Sequence, residues 1–508
     1  MTAIVLERHG QLDLPMYCRI ALRREPVSIE PALLRTVASR RNALTAYLDS
    51  GASAYGVSTG LGYLADRPVE AVDQASFQRS ILAGRAAGTG PGLSEAVVRG
   101  AMLLRLTGFL SGHAGVTPGL CRFIAERLND GWYPVVPGAV SGAAGEIVPL
   151  AHLFGTFVGD GFVRVEGRAV GAGDVLVERG IAPYELDAKE GIALINGAPL
   201  APALAVPLAL RAQALLEHAT LAGALTVAVT GASARPYVGR VGALKGDHGQ
   251  AAVHRRLSEL LGGGALLQQT RQAPVSLRVI PQVHGAAADM LGHLRDQLGR
   301  ELRAVTDSPV FLPAEGDEPA GMYSTGNFHA ASVTLLLDSV AVAFTHVLNL
   351  LEKRLHRLLD SRFSGLPDQL TSDPGRQSGV VILHKQVVGL VAQARTLAAP
   401  AGIHALDAST GQEDFQAHTM LAAQQLDGVL AALELALAHE LIALRQARFL
   451  SGAPLPALLE RAVSSVGEVV PPVVEDRSLA ADVERARGLV ASGRLVPDAP
   501  AWFPLYGE

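Results

Sequence analysis

With 508 residues, 49% of them hydrophobic, the chain exceeds one ordinary compact domain and carries enough apolar surface for a large core. A net charge of -5 without any dense lysine and arginine block excludes a nucleic-acid-binding surface, and 5% aromatic content leaves an Ala, Leu and Val interior that disfavours an all-β fold. Cys18 and Cys121 stand too far apart for a disulfide framework or a metal-ligand spacing, and the start MTAIVLERHG lacks a signal-like apolar run, so a cytoplasmic protein is predicted.

In chain order, residues 1-205 form an N-terminal region in which YGVSTGLGYLA, AAGTGPG and VPGAVSGAAGE interrupt short helical patches. Loops of this kind, held by a rigid scaffold, are where binding and catalytic sites tend to be built. Alternation from Phe162 to Val177 predicts a small hairpin. The most membrane-like run, Gly191 to Leu210, contains Asn196, Pro199, Pro202 and Pro207, which argues against a spanning helix and for a buried loop leading into a core helix. No membrane partner is expected.

Residues 206-468 predict a central bundle of long helices. Val333, Leu336, Leu337, Val340, Phe344, Val347, Leu348, Leu351, Leu355 and Leu358 keep the spacing of one apolar helix face. A second run, Met420 to Leu444, is apolar around most of its circumference, so it belongs in the centre of the bundle or between subunits. The segment 469-508 is marked by proline and then helical, and predicts a peripheral C-terminal element. The fold class is therefore mainly α, a long-helix bundle with a smaller loop-rich N-terminal region.

No glycine-rich piece has a nucleotide-binding pattern, there is no HExxH, and the 15 histidines are scattered, so neither nucleotide nor metal is expected. Polar residues do recur in apolar or glycine-rich surroundings: Tyr55, Asn196, Arg278, Gln282, Asn327, His329, Gln412 and Glu413. Each alone is explained by a loop-fixing hydrogen bond. Together they point to one convergent site.

The motifs YGVSTGLGYLA, GAAGEIVPLAHL, KEGIALINGAP, SLRVIPQVHG, YSTGNFHA and TGQED follow one another as they do in the histidine and aromatic amino-acid ammonia-lyases and their aminomutase relatives, which this chain resembles from about Tyr55 to beyond Leu444. The resemblance implies a mostly helical homotetramer whose active sites are assembled from several subunits. It also implies roles: Tyr55 as the proton-abstracting base, Arg278 as the clamp on a substrate carboxylate, and Asn196 beside that carboxylate. Gln412 and Glu413 lie at the far end of the pocket, with Glu413 a second acid/base expected to be buried. Gln282 and Asn327 join the substrate-binding set.

In that family an Ala-Ser-Gly triad cyclises and dehydrates into a methylidene-imidazolone, an electrophile. Here the triad falls on Ala143, Ala144 and Gly145, and alanine has no hydroxyl to lose, so the group is predicted absent and no cofactor is expected. The neighbouring Val140-Ser141-Gly142 is a shifted look-alike that would misplace the electrophile. Ala273 and Val275 replace an aspartate and an active-site tyrosine usual in the relatives, and Arg85 stands where many of them carry His or another ring near the substrate side chain. If Arg85 faces the pocket, an anionic side chain fits; the alternative is an outward or protein-paired Arg85.

The expected activity is elimination, addition or cyclisation on an amino-acid-like or other carboxylate-bearing small molecule, without the electrophile. Two alternatives stay open: a catalytically silent homologue that binds a ligand or partner, and a conventional ammonia-lyase trapped by a Ser-to-Ala replacement.

Overall fold

The apolar stripe between Val333 and Leu358 folds as one helix, Ala331–Leu358, with Val333, Leu337, Val340, Phe344, Val347, Leu351 and Leu355 buried on a single face. In this computed structural model, which describes residues 3–262, 272–452 and 454–496, the second run lies in the helix Thr419–Ser451. Every residue from Ala436 to Leu444 is buried there, as all-round apolarity requires of a central helix. It packs against Ala331–Leu358, Leu200–Val229, Val381–Leu397 and Ala480–Ala491, and Ile280–Glu301 completes the bundle. Small alanine side chains along these helices let their backbones approach closely. The fully buried Arg354 guanidinium grips Glu440 through bonds of 3.0 and 2.9 Å, a pair that ties two of the long helices in register.

The run from Gly191 to Leu210 departs from expectation. Only 196–199 is loop; Glu190–Ile195 is a short helix, and Leu200–Val229 begins early enough to hold Pro202 in its first turn and Pro207 in its interior. A proline in the first turn removes no helical hydrogen bond, whereas Pro207 forfeits one. Burial of Ala203, Ala205, Val206 and Ala209 around it outweighs that loss. The segment Glu190–Val229 and the helix Ala331–Leu358 are long and apolar enough to cross a membrane, but the rest of the chain covers 78% of the apolar window in the first and 56% in the second, so their apolarity is spent on the core.

The predicted hairpin is present as Phe162–Val165 paired antiparallel with Arg168–Gly171, and Trp132–Pro134 adds a third strand. From Ala172 the chain turns helical instead, as Ala172–Glu178. One apolar core runs from Ile4 to Leu495, and the buried helix Glu95–Phe109, packed on Leu200–Val229, joins the N-terminal region to the bundle. The helix Ala480–Ala491 follows the proline-marked stretch and packs on Thr419–Ser451, while 497–508 lie outside the described residues.

Function is positioned by three short helices, Gln74–Ala83, Ile147–Gly155 and Glu190–Ile195, which pack on one another. Their ends bring loops from distant parts of the sequence to one place.

Candidate active site

Those loops enclose a cleft of about 320 Å³ lined by Tyr55, Arg85, Ala144, Gly145, Asn196, Gln412 and Glu413, with Leu61, Ile147, Ile192, Ile195 and Phe328 as its apolar wall. Residues up to 358 positions apart in sequence therefore share one concave surface, the arrangement of a small-molecule site.

Tyr55 sits on a tight loop. Gly56 takes φ +69°, and a Cβ there would come within 2.8 Å of Leu61, so only glycine fits. The buried Gln78 donates to the Gly56 carbonyl at 2.9 Å and accepts from the Ile192 amide at 3.2 Å, pinning the loop to the helix Glu190–Ile195. The Tyr55 hydroxyl accepts one hydrogen bond, from the Gly62 amide at 2.9 Å. Its own proton stays available to the cleft.

Arg85 is half-buried and faces the cleft, and its guanidinium meets no acceptor among the described residues. The segment that carries it is held by the Gly88 amide, which donates to His152 Nε2 at 2.8 Å. An unpaired guanidinium on an enclosed surface is a ready anion receptor.

In the loop Ala143–Gly145, the Ala144 amide donates to Glu413 Oε2 at 2.7 Å, which locks the loop to the 409–413 turn. Glu413 is half-buried rather than buried, because it stands at the rim where that turn meets solvent. Gly145 backs onto Phe328: a Cβ at 145 would approach the ring to 3.3 Å. The next residue, Glu146, accepts from the Leu200 and Ala201 amides at 2.5 and 2.6 Å, so its carboxylate caps the start of the 30-residue helix Leu200–Val229. Part of Glu146 reaches the surface, but its carboxyl end is enclosed, and withdrawal from water pushes it up to about 8 against these two donors. Ser141 lines an adjoining cavity of about 40 Å³, which shares Ala144, Gly145 and Phe328 with the Tyr55 cleft, and is not itself on that cleft.

Asn196 donates to the Ser308 carbonyl at 2.6 Å, which leaves its side-chain oxygen and second N–H for a ligand. Beneath it lies a buried charge network: Lys189 Nζ meets Asp307 at 2.6 Å, Arg105 meets the same carboxylate at 3.5 Å, and Arg105 also donates to the carbonyls of Ala193 and Asn196. Loss of water pulls the Lys189 ammonium down and the Asp307 carboxyl up, more strongly than their mutual attraction opposes it. Gly197 is required here, since a Cβ would fall 2.2 Å from the Arg105 guanidinium.

Other expected site residues stand elsewhere in this chain. Arg278 ends the short helix Val275–Arg278 and donates to the Ala273 carbonyl at 3.1 Å; neither it nor Gln282, on Ile280–Glu301, lines the cleft. Asn327 points away to the Val305 carbonyl at 3.3 Å, and its neighbour Phe328 takes the place on the cleft wall. His329 stacks on Phe415, with ring centroids 5.7 Å apart. Sequence reasoning missed Phe328, Gln78, Glu146 and the Lys189, Asp307 and Arg105 network. A signal existed for Glu146 and Lys189, charged residues bordering the apolar runs IVPLAHL and GIALI, but it does not name their partners.

Across residues 12–468 the chain matches the family model described as aromatic amino acid lyase. It is 34% identical over 502 residues to a histidine ammonia-lyase of Symbiobacterium thermophilum, covering 98% of both chains. It is 37% identical over 493 residues to a histidine ammonia-lyase of Sorangium cellulosum, covering 94% of this chain and 95% of that one. The crystal structure of a tyrosine aminomutase from Streptomyces globisporus superposes with a TM-score of 0.90 at 28% identity, over 97% of this chain and 98% of its own.

Proposed function

The chain belongs to the aromatic amino acid lyase family, and on that premise we propose that it is a lyase for an amino-acid-like or other carboxylate-bearing small molecule that works without the methylidene-imidazolone of its relatives. The observation that carries this is Ala144 on the wall of the cleft that Tyr55, Arg85, Asn196 and Glu413 share. Dehydration to an exocyclic methylidene needs a β-hydroxyl, and this side chain is a methyl group. The residues present therefore do not fit that group, and Ser141, the nearest hydroxyl in sequence, is not among the residues that line the cleft.

In this proposal Tyr55 first gives its own proton to solvent and then, as the phenolate, takes a proton from a carbon beside the carboxylate or one removed from it. The C–H electron pair becomes the new double bond, and the leaving group departs with its own bonding pair, protonated by Glu413 or by water that Glu413 orders. With no electrophile to activate it, that group must leave more readily than an unactivated ammonium. Asn196 orients the substrate through its free amide functions, and Arg85 holds an anionic group at the far end. Arg278 and Gln282, which do not reach the cleft of their own chain, complete the cleft of a second copy within a homotetramer. The free, buried Cys18 and Cys121 fit a reducing cytoplasmic compartment.

Calorimetry with a panel of amino acids and mono- and dicarboxylic acids, followed by turnover assays on the binders, tests the proposal. Product from a bound carboxylic acid supports it; tight binding without product would instead establish a silent ligand-binding homologue. Arg85→Gln is expected to weaken a ligand with a second anionic group about 10- to 100-fold, the loss of charge-assisted hydrogen bonds, and to leave its uncharged analogue unchanged. Equal losses for both ligands would remove the anion assignment. Ala144→Ser is expected to show neither the near-ultraviolet absorbance nor the mass deficit of a cyclised, dehydrated triad. Appearance of both would identify a conventional ammonia-lyase trapped by replacement of its serine.

A further inference from the structure

Towards the C-terminal end of Ala331–Leu358, three metal-competent side chains meet that the cleft does not use. Glu352 and His356 are one turn apart on this helix and so share a face, while His384 comes from Val381–Leu397, packed alongside. One ligand atom from each lies within 4.8 Å of the others. The two imidazoles stack with centroids 4.7 Å apart at 22°, and His384 Nε2 lies 2.7 Å from Glu352 Oε1. Glu352 is only 7% exposed, and its other oxygen pairs with Lys353 Nζ at 2.7 Å.

We propose that Glu352, His356 and His384 form a binding site for one divalent transition-metal ion of the zinc type. Two imidazole nitrogens with one carboxylate oxygen suit Zn²⁺, Co²⁺ or Ni²⁺; Mg²⁺ and Ca²⁺ prefer oxygen ligands throughout. Bonds of about 2.0–2.2 Å to a tetrahedral zinc place its ligands roughly 3.3–3.6 Å apart. The three donors lie within 4.8 Å of one another, so drawing them onto one ion calls for side-chain adjustment of about an ångström. His356 is exposed, which leaves an entry path and room for water as the fourth ligand. Without metal, the partly desolvated Glu352 carboxylate is balanced by His384 and by the Lys353 ammonium. The ion takes the place of the His384 to Glu352 hydrogen bond, and Lys353 is its competitor.

Glu352 lies 21 residues beyond Ala331, about 30 Å along a helix rising 1.5 Å per residue, whereas Phe328 of the cleft lies just before Ala331. The site therefore acts on the packing of two helices rather than on the chemistry. Full-length protein freed of metal by a chelator and dialysed, then titrated with zinc chloride, should bind one ion per chain with a rise of several degrees in melting temperature. Magnesium chloride should produce no rise. His356→Gln and His384→Gln should each weaken zinc binding at least 10-fold and abolish the rise, and Lys353→Met should tighten binding by removing the competing ammonium. Zinc binding of equal strength in wild type and His384→Gln, or a wild-type melting temperature that zinc does not raise, overturns the proposal. Lys353→Met also keeps the test decisive should a histidine variant fold poorly, because a site elsewhere would not respond to it.

Discussion

Tyr55→Phe is expected to lower kcat by about 10²- to 10⁴-fold on whichever carboxylic acid the panel identifies, the usual effect of removing a general base. The variant keeps the ring on its loop, where Gly56 and Gln78 hold the backbone, and removes only the hydroxyl that meets the cleft. The structural loss is one hydrogen bond accepted from the Gly62 amide, about 1 kcal/mol, so the melting temperature should change little. Binding of the substrate should survive, since Arg85 and Asn196 are untouched. Steady-state kinetics beside a melting curve separates these effects. Turnover equal to wild type would falsify the assignment of Tyr55 as the base, and a collapse of the melting temperature would show that its role is to build the loop.

The second large effect is expected from Asp307→Ala. It leaves Lys189, which has no solvent exposure, and Arg105, which is 3% exposed, without their shared carboxylate. Removing one partner from a buried ionic network costs about 3–5 kcal/mol, because the remaining charges stay desolvated and unpaired. Activity should fall as well: Arg105 holds the Ala193 and Asn196 carbonyls, and so the turn that presents Asn196 to the cleft. Denaturant titration and thermal melting measure the stability loss. A double variant, Lys189→Met with Asp307→Asn, should recover a large part of it by removing the orphaned ammonium while keeping an acceptor for Arg105. Melting of Asp307→Ala within a degree of wild type would mean that the network does not hold this part of the fold.

Tyr55, Ala144, Asn196, Gln412 and Glu413 were nameable from sequence because each lies in a short motif whose order along the chain is distinctive, and with Arg85 they line one cleft. Arg85 was nameable but its direction was not, since an arginine stem reaches either solvent or pocket from the same backbone. In STGNFHA the polar Asn327 drew attention, yet the loop turns it to the Val305 carbonyl and gives the cleft to Phe328. Arg278 and Gln282 lie in an equally distinctive motif and are not on this cleft, because motif order carries no information about where the fold sends a side chain.

The sequence by itself determined the long helices and the absence of a hydroxyl at position 144. A repeat of three or four between apolar residues has one low-energy outcome once a face must be buried, and alanine at 144 has no hydroxyl whatever surrounds it. Only the tertiary structure decided that Pro207 could remain inside a helix, that Glu146 caps Leu200–Val229, and that Lys189 and Arg105 share Asp307 across 118 and 202 residues of sequence. The reason is the range of the forces involved. Helical periodicity is a property of neighbours along the chain, whereas the partner of a buried charge is whichever group the packed core brings within a few ångströms, and no local pattern names it.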